Sequence, residues 1–183
     1  MALLRTARLE LAPITLDLVE AVMLGRREDA EAIARARMPE EWPNRALIEQ
    51  AFAISMDGIR TDPSARLWGA RVMIAAAGED RRVVGSVVFR GEPDESGIAE
   101  IAYGVERTSQ GQGYATEAVG RSVAWALEQP RVRAVQAATF AWHRASVRVL
   151  EKIGMARAGH RQHETMGEML VFECRRGDAG PTV

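Results

Sequence analysis

The strongest constraint on the fold is a strand, a glycine-containing turn, a helix and a second strand, which follow one another in mid-chain. The run Ile98–Val105, "IAEIAYGV", has the apolar and β-branched residues of a strand. Apolar residues then recur at helical spacing over residues 114–129, and Pro130 ends the helix. A further strand covers residues 132–139. Because a crossover of this kind joins parallel strands, the sequence predicts one parallel pair.

The remaining patterns predict antiparallel strands and further helices. Apolar and polar residues alternate over residues 3–15, which predicts a first strand. Thr15 is expected to cap a helix that stops near Gly25, and residues 27–37 continue as a second helical segment. A third helix begins at Asn44 and stops near Gly58. Residues 67–76 and 83–89 form a meander with Ile98–Val105, and residues 144–154 and 155–176 form a helix and a closing hairpin. We expect a single domain over residues 1–176 and a flexible tail over 177–183.

Composition excludes several classes of protein. The chain has 183 residues, of which 47% are hydrophobic and 27% charged, and a formal net charge of -1, which argues against a broad nucleic-acid surface. Cys174 is the single cysteine, so neither an internal disulfide nor a cysteine-based metal site can form. The three histidines lack zinc-site spacing, and His160 and His163 are expected to decorate a turn. Without a long apolar run or a signal-peptide core, we expect a cytoplasmic protein.

The glycine turn, "QGQGYA" from Gln110 onward, has the composition of a phosphate-binding loop. It lacks the lysine of a P-loop, and Thr116 stands where a dinucleotide fingerprint needs its third glycine. It matches the pattern Gln/Arg-x-x-Gly-x-Gly/Ala. Gly111 and Gly113 let main-chain N–H groups converge, and the helix adds its own free N–H groups and dipole, which suits a pyrophosphate. The alternative is a flexible turn without a ligand.

Together with "ASVRVLEKIGMARAG" downstream, this loop resembles the GCN5-related N-acetyltransferase (GNAT) superfamily, especially its ribosomal-protein alanine acetyltransferase branch. The resemblance implies an α/β (α+β) fold with a central mixed sheet of about seven strands, mostly antiparallel with one parallel splayed pair, flanked by helices. It implies that acetyl-CoA is the donor and that the pantetheine arm lies along Tyr103 and Val105. It also implies a set of pyrophosphate-binding positions, namely Gln110, Gly111, Gln112, Gly113, Tyr114, Ala115 and Thr116.

The residues that carry the chemistry follow from what acetyl transfer needs. Glu100, the one charged residue within its strand, is the candidate general base, with a pKa that partial burial would raise; the alternatives are a solvated Glu100 and simple desolvation of the amine. A main-chain N–H near Tyr103 to Val105 would stabilise the oxyanion. Leu150 stands where many members of the family have a tyrosine acid.

Two residues around the start of the late helix have two interpretations each. Ser146 contacts the thiol or the pantetheine, or else satisfies main-chain amides at the helix start. His143 replaces the asparagine that is usual in the branch, and it hydrogen-bonds the cofactor arm or merely caps the helix.

The acceptor site is expected to include Glu40, Glu41 and Trp42, because N-terminal helices cover the acceptor in this family; the alternative is that Trp42 belongs to the core. The expected reaction is direct transfer of acetyl from acetyl-CoA to a primary amine, either a protein N-terminus or a small amine, within a ternary complex. The rival is a non-catalytic acyl-CoA-binding module of the same fold. We expect no metal, no nucleic acid and no membrane, and the family resemblance suggests a homodimer.

Overall fold

One eight-stranded sheet forms the centre of the computed structural model, which describes residues 2–40, 56–77 and 80–178. The strand order is β1-β2-β3-β4-β5-β6-β8-β7. The bounds are β1 (Leu4–Arg5), β2 (Leu9–Pro13), β3 (Arg71–Ala77), β4 (Asp80–Phe89), β5 (Ile98–Val105), β6 (Ala134–Phe140), β7 (Ala156–His163) and β8 (Gly167–Arg175). Every neighbouring pair is antiparallel except β5 and β6, which are parallel. The predicted mixed sheet with one parallel pair is confirmed.

The helices lie before β3 and on either side of β6. They are α1 (Leu16–Met23), α2 (Arg27–Ala34), α3 (Met56–Thr61), α4 (Pro63–Arg66), α5 (Tyr114–Glu128) and α6 (Arg144–Lys152). Thr15 caps α1 as predicted, because its hydroxyl accepts a hydrogen bond from the Leu18 N–H. Most of the helix predicted from Asn44 lies outside the described residues. None of the helices in the described ranges has the length and apolar character that crossing a membrane requires.

The first predicted strand is two strands, which raises the strand number from about seven to eight. Thr6 makes the break: its hydroxyl accepts from the Leu9 N–H at 2.9 Å, and its own N–H donates to the Leu9 carbonyl at 2.9 Å. This tight turn folds Leu4 back onto Leu11. The alternation of residues 3–15 could not reveal the turn, because two paired strands and one long strand show the same period of two.

The strand predicted from Leu67 begins later, at Arg71. Asp62 caps the short helix α4 by accepting from the Ala65 N–H, and Pro63 occupies its first position. The capped turn extends to Leu67, so the strand can start only after it. At the other end of the chain, Gly177 and Asp178 of the expected tail form a turn in which the Asp178 carboxylate accepts from the Arg175 N–H at 2.8 Å. Residues 179–183 lie outside the described ranges.

Strands β5 and β6 separate soon after they meet. They pair only at Ile98–Ala134, Ala99–Val135 and Glu100–Gln136. Beyond Glu100, β5 continues for five residues paired with β4 alone, while β6 continues paired with β8. A gap therefore opens between the carboxyl ends of the two parallel strands, next to the loop that leads into α5.

Apolar clusters on both faces hold the helices against the sheet. On one face, α5 and α6 pack on the strands through a cluster that includes Val119, Val123 and Leu150. On the opposite face, α1 and α2 pack on β3 and β4 through Leu18, Ala30 and Ile74. The gap between β5 and β6 thus lies in the middle layer of a helix–sheet–helix sandwich.

Candidate active site

The glycine loop presents a row of free main-chain N–H groups. Gly111 and Gly113 have φ of +76° and +85°, in the left-handed region that side chains disfavour. In the described part of the chain, the N–H groups of residues 111–116 donate to no acceptor. The last three of them belong to the first turn of α5, where the helix dipole adds partial positive charge. The loop therefore has the form of an anion cradle, and pyrophosphate binding by it stays a prediction.

Arg8, which the sequence reasoning missed, braces this loop. Its Nη1 donates to the Gln112 carbonyl at 2.9 Å, and its Nε donates to the Glu117 carboxylate at 2.8 Å. Its guanidinium lies 4.9 Å from the centre of the Tyr114 ring. Glu117 belongs to the first turn of α5 and also hydrogen-bonds Thr6, so the turn between β1 and β2 is tied to the loop. No local pattern signals this contact, because more than a hundred residues separate its partners.

The edge of β5 that faces the gap carries main-chain groups for a ligand. Arg90 donates to the Glu100 carbonyl and Glu106 donates to the Val84 carbonyl, so groups at even-numbered positions bond to β4. The main-chain groups of Tyr103 and Val105 consequently face β6. Gln110 satisfies one of them, since its side-chain amide donates to the Val105 carbonyl at 3.1 Å. This bond closes the loop onto the end of β5.

Tyr103 and Ser146 meet across the gap. The Tyr103 hydroxyl lies 2.9 Å from the Ser146 Oγ and 3.2 Å from the Ser146 carbonyl. Burial raises the pKa of Tyr103 to about 12, although the hydrogen bond to Ser146 opposes this. The alternative in which the Ser146 hydroxyl satisfies amides at the helix start is wrong, since its partner is Tyr103. Leu150, one turn further along α6, is fully buried in the core.

Glu100 is half-buried at the last pair before the gap, but the expected rise in its pKa is wrong. Arg161 binds both of its carboxylate oxygens, at 2.9 and 3.0 Å, and the Nε of Arg90 lies 3.0 Å from Oε1. Burial alone would raise the pKa of Glu100, but the hydrogen bond from Arg161 and the charges of both arginines outweigh burial and lower it. A carboxylate stabilised in this way is a poor proton acceptor, so the structure does not support Glu100 as general base.

His143 occupies the position before α6, yet its side chain makes no capping hydrogen bond. It is exposed beside Trp142, whose ring stacks on Phe140 at 5.2 Å. The interpretation of His143 as a side-chain cap is therefore wrong, and contact with a cofactor arm remains a prediction. His163 accepts from the N–H groups of Thr165 and Met166, so it does decorate the turn between β7 and β8. His160 instead lies within β7, so the expectation of a turn is wrong for this residue. Glu41 and Trp42 lie outside the described residues.

A cleft of about 440 Å³ opens beside the loop, and Glu40, one of the residues expected at the acceptor site, lines it. Its walls are the end of the segment after α2, the start of β4 and the 3₁₀ turn Arg107–Ser109. Charged residues line it, namely Arg37, Glu40, Arg82, Glu106 and Arg107. Hydrogen bonds from Thr108 and Ser109 lower the pKa of Glu106, so it is a carboxylate at neutral pH. The cleft suits a polar ligand better than an apolar one.

The family model of the acetyltransferase (GNAT) domain matches residues 8–156, most of the chain. The chain belongs to this acetyltransferase family. GNAT proteins are acyltransferases that use acetyl-CoA, and no metal is required for their chemistry. The family expectation from the glycine loop and the late helix is thus confirmed.

Named relatives agree with this membership. The chain is 28% identical over 161 residues to the uncharacterized N-acetyltransferase YjdG of Bacillus subtilis, covering 84% of this chain and 89% of the relative. Its fold matches the ribosomal-protein-S5-alanine acetyltransferase from Vibrio fischeri with a TM-score of 0.66 at 12% identity, covering 99% and 100% of the two chains. It also matches the RimL ribosomal L7/L12 α-N-protein acetyltransferase in complex with coenzyme A, with a TM-score of 0.62 at 15% identity over 95% and 98%.

The local structure of this GNAT domain fits coenzyme A. The free N–H groups of residues 111–116 and the nearby Arg8 suit a pyrophosphate, and the edge of β5 at Tyr103 suits the amides of a pantetheine arm. The arm carries the acetyl thioester, the group that an amine attacks. Gln110 contributes to this site by holding Val105 in place, which is a supporting contact that the loop pattern alone did not reveal.

Proposed function

We propose that this protein transfers the acetyl group of acetyl-CoA to a primary amine by direct attack within a ternary complex. The observation that carries the proposal is the continuity of the loop and the gap. The cradle of residues 111–116 adjoins the β5 edge at Tyr103, where β5 and β6 no longer pair. A donor anchored by its pyrophosphate at the loop would place its thioester in the gap, open to an acceptor.

The main-chain N–H of Tyr103 is the proposed oxyanion donor, because it faces the gap and makes no ladder bond to β6. The single thiol, Cys174, is buried in β8. Burial is the main cause that raises its pKa, and the negative charges of nearby carboxylates raise it further. A buried thiol of raised pKa is a poor nucleophile, which favours direct attack over an acetyl-enzyme. With Glu100 held by two arginines, we propose that the amine loses its proton to water.

The acceptor is proposed to be a protein N-terminus or a small polar amine. The named structural neighbours that acetylate ribosomal proteins share the fold, and the charged cleft beside the loop suits a polar acceptor. His143 is proposed to contact the donor arm from the start of α6, and Glu41 and Trp42 are proposed to contact the acceptor. The family resemblance also motivates two further proposals, a cytoplasmic location and pairing of two copies, and light scattering would measure the second.

The test is release of free coenzyme A from acetyl-CoA across a panel of amines. The panel contains peptides with N-terminal alanine, serine or methionine, the same peptides with blocked N-termini, and small polyamines. We expect release that depends on a free amino group, with the acetylated product identified by mass spectrometry. Tight binding of acetyl-CoA without turnover on any amine would instead favour the non-catalytic binding module.

A further inference from the structure

The side chain of Tyr103 links the two sides of the gap between β5 and β6. Tyr103 projects from β5 beyond the last pair with β6, and its ring packs against the core cluster beneath α5 and α6. Its hydroxyl reaches Ser146 in the first turn of α6, the helix that follows β6. The phenol thus lies along the floor of the region where the donor arm is proposed to run.

Ser146 has a hydroxyl with one fixed partner. The residue is only 8% exposed, and within the described residues its Oγ hydrogen-bonds Tyr103 alone. The position before α6 belongs to His143, so Ser146 is not the capping residue. A buried serine hydroxyl that is not needed by the helix is available to a ligand.

The number of protons available fixes the direction of the hydrogen bonds. Tyr103 has one hydroxyl proton, and its acceptor is either the Ser146 Oγ at 2.9 Å or the Ser146 carbonyl at 3.2 Å. Carbonyls inside a helix already accept from the amide four residues later, so the Oγ is the better acceptor. When Tyr103 donates to the Oγ, the proton of Ser146 is free to point into the gap.

We propose that Tyr103 is a positioning residue that orients the Ser146 hydroxyl to donate a hydrogen bond to the sulfur atom of coenzyme A. This inference rests on the proposed function, which places the donor arm in the gap. The interaction would take the place of the tyrosine acid that Leu150 replaces, from one turn earlier on the same helix, α6. A hydroxyl that itself accepts a hydrogen bond is a stronger donor, because hydrogen bonds in a chain polarise one another.

The step balances without a proton leaving either side chain. The amine nitrogen bonds to the acetyl carbon, the carbon–sulfur bond breaks, and its electron pair moves to sulfur. Ser146 stabilises the negative charge on sulfur by donating its O–H, and Tyr103 keeps its proton while donating to Ser146. The nitrogen releases its proton to water, and the thiolate takes one from water after it leaves. The raised pKa of Tyr103 keeps the phenol protonated over the working pH range.

The test measures the pKa of the thiol of bound coenzyme A, without acceptor and without turnover. The ultraviolet absorbance of the thiolate is followed against pH in difference spectra recorded with and without coenzyme A. In the wild type we expect the bound thiol to have a lower pKa than the thiol of free coenzyme A titrated in the same way. Losing the hydrogen bond in Ser146→Ala should raise that pKa by about 1 to 2, and Tyr103→Phe by about 0.5 to 1.

Matched variants separate orientation from simple packing. Ser146→Thr keeps a hydroxyl and should restore most of the lowered thiol pKa. Ser122→Ala removes another buried helical serine, whose Oγ has no partner, and should leave the thiol pKa unchanged. The double variant Tyr103→Phe/Ser146→Ala should match Ser146→Ala alone, since the phenol acts through the serine.

Two sets of outcomes decide the proposal. Equal thiol pKa values in the wild type and Tyr103→Phe, or additive effects in the double variant, overturn the role of Tyr103. A wild type in which coenzyme A gives no saturable difference spectrum overturns both this inference and the placement of the donor. A lowered thiol pKa that responds to both substitutions supports the inference even if no amine in the acceptor panel is acetylated, so the two proposals fail separately.

In turnover, Ser146→Ala should lower kcat roughly 10- to 100-fold with unchanged affinity for acetyl-CoA.

Discussion

Glu100 shows how neighbouring charges reverse the effect of burial on one residue. Its side chain is 26% exposed, enough desolvation to raise the pKa of an isolated carboxyl. Arg161, in β7, and Arg90, directly after β4, both form ion pairs with the Glu100 carboxylate. These two guanidinium groups lower the pKa of Glu100 despite its burial. Glu100 therefore ties three strands of the sheet together at the point where β5 and β6 part.

Replacing Glu100 with glutamine should weaken the fold near neutral pH and leave the pH dependence of acetylation unchanged. A carboxylate whose folded pKa is lowered stabilises the protein above its ordinary value of 4.5, and the contribution disappears as pH falls through the folded value. We expect Glu100→Gln to reduce the free energy of unfolding by about 1 to 2 kcal/mol at pH 7, and by much less near pH 3. Urea unfolding at both pH values measures this.

The control for this prediction is Glu92→Gln, which removes an exposed ion pair with Arg131 and should cost well under about 1 kcal/mol. The rate of acetylation is measured for Glu100→Gln over pH 6 to 9. If the acidic limb of the wild-type pH profile vanished in the variant, Glu100 would be the base after all, and its arginine partners would have to leave during the reaction.

At the scale of elements, the loop and the first turn of α5 form one row of free main-chain N–H groups, the proposed anion-binding unit. Two positive-φ glycines orient the N–H groups, Gln110 fastens the loop to β5, and Arg8 fastens it to the chain before β2. The local pattern of glycines and the helix start predicted this unit from the sequence. Arg8 was not predictable, since its partners become neighbours only after β2 has entered the sheet.

A bulky residue at Gly113 should abolish the cradle. Gly113 has a φ of +85°, and an added Cβ would lie 3.2 Å from the Nη2 of Arg8. We expect Gly113→Val to weaken coenzyme A binding more than about tenfold, which corresponds to about 1.4 kcal/mol. Isothermal titration calorimetry with coenzyme A measures this effect.

Gly25→Val is the matched control, because Gly25 also has a positive φ, +69°, but its Cβ would meet no atom within 4 Å. It should cost about 1 to 2 kcal/mol of stability from the strained φ and leave the affinity for coenzyme A unchanged. An undiminished affinity in Gly113→Val would mean that the pyrophosphate binds elsewhere.

At the scale of the whole molecule, the core contains a buried cation that lowers stability. Arg71 is fully buried beneath α5, with its guanidinium 4.0 Å from the centre of the Trp125 ring and Nη1 donating to the Gly69 carbonyl at 2.7 Å. Within the described residues, its Nε and Nη2 have no hydrogen-bond partner. Burial, together with the nearby charge of Arg121, lowers the pKa of Arg71 to about 10. A buried cation without a carboxylate lowers stability more than an apolar side chain of similar length would.

Arg71→Met should therefore stabilise the protein by about 1 to 3 kcal/mol. The urea midpoint at pH 7 measures the change. The control is Arg66→Met, at an exposed position, which should shift the free energy of unfolding by less than about 0.5 kcal/mol. A loss of stability in Arg71→Met would show that the contacts with Trp125 and Gly69 outweigh the cost of desolvation.

The sequence by itself determined the order and type of most elements and the glycine-rich character of the loop, but not the turn at Thr6 or the short helix α4. Residue periodicity, capping by Thr15 and the glycines of the loop are local signals that can be recognised in the sequence. The helix between β5 and β6 is a further one, because a strand–helix–strand crossover joins parallel strands. Local signals cannot show which distant side chains meet. Packing of the helices and strands decided the contact between Tyr103 and Ser146, the clamp on Glu100 and the brace from Arg8. The protonation states and hydrogen-bond directions that acetyl transfer depends on follow from those contacts.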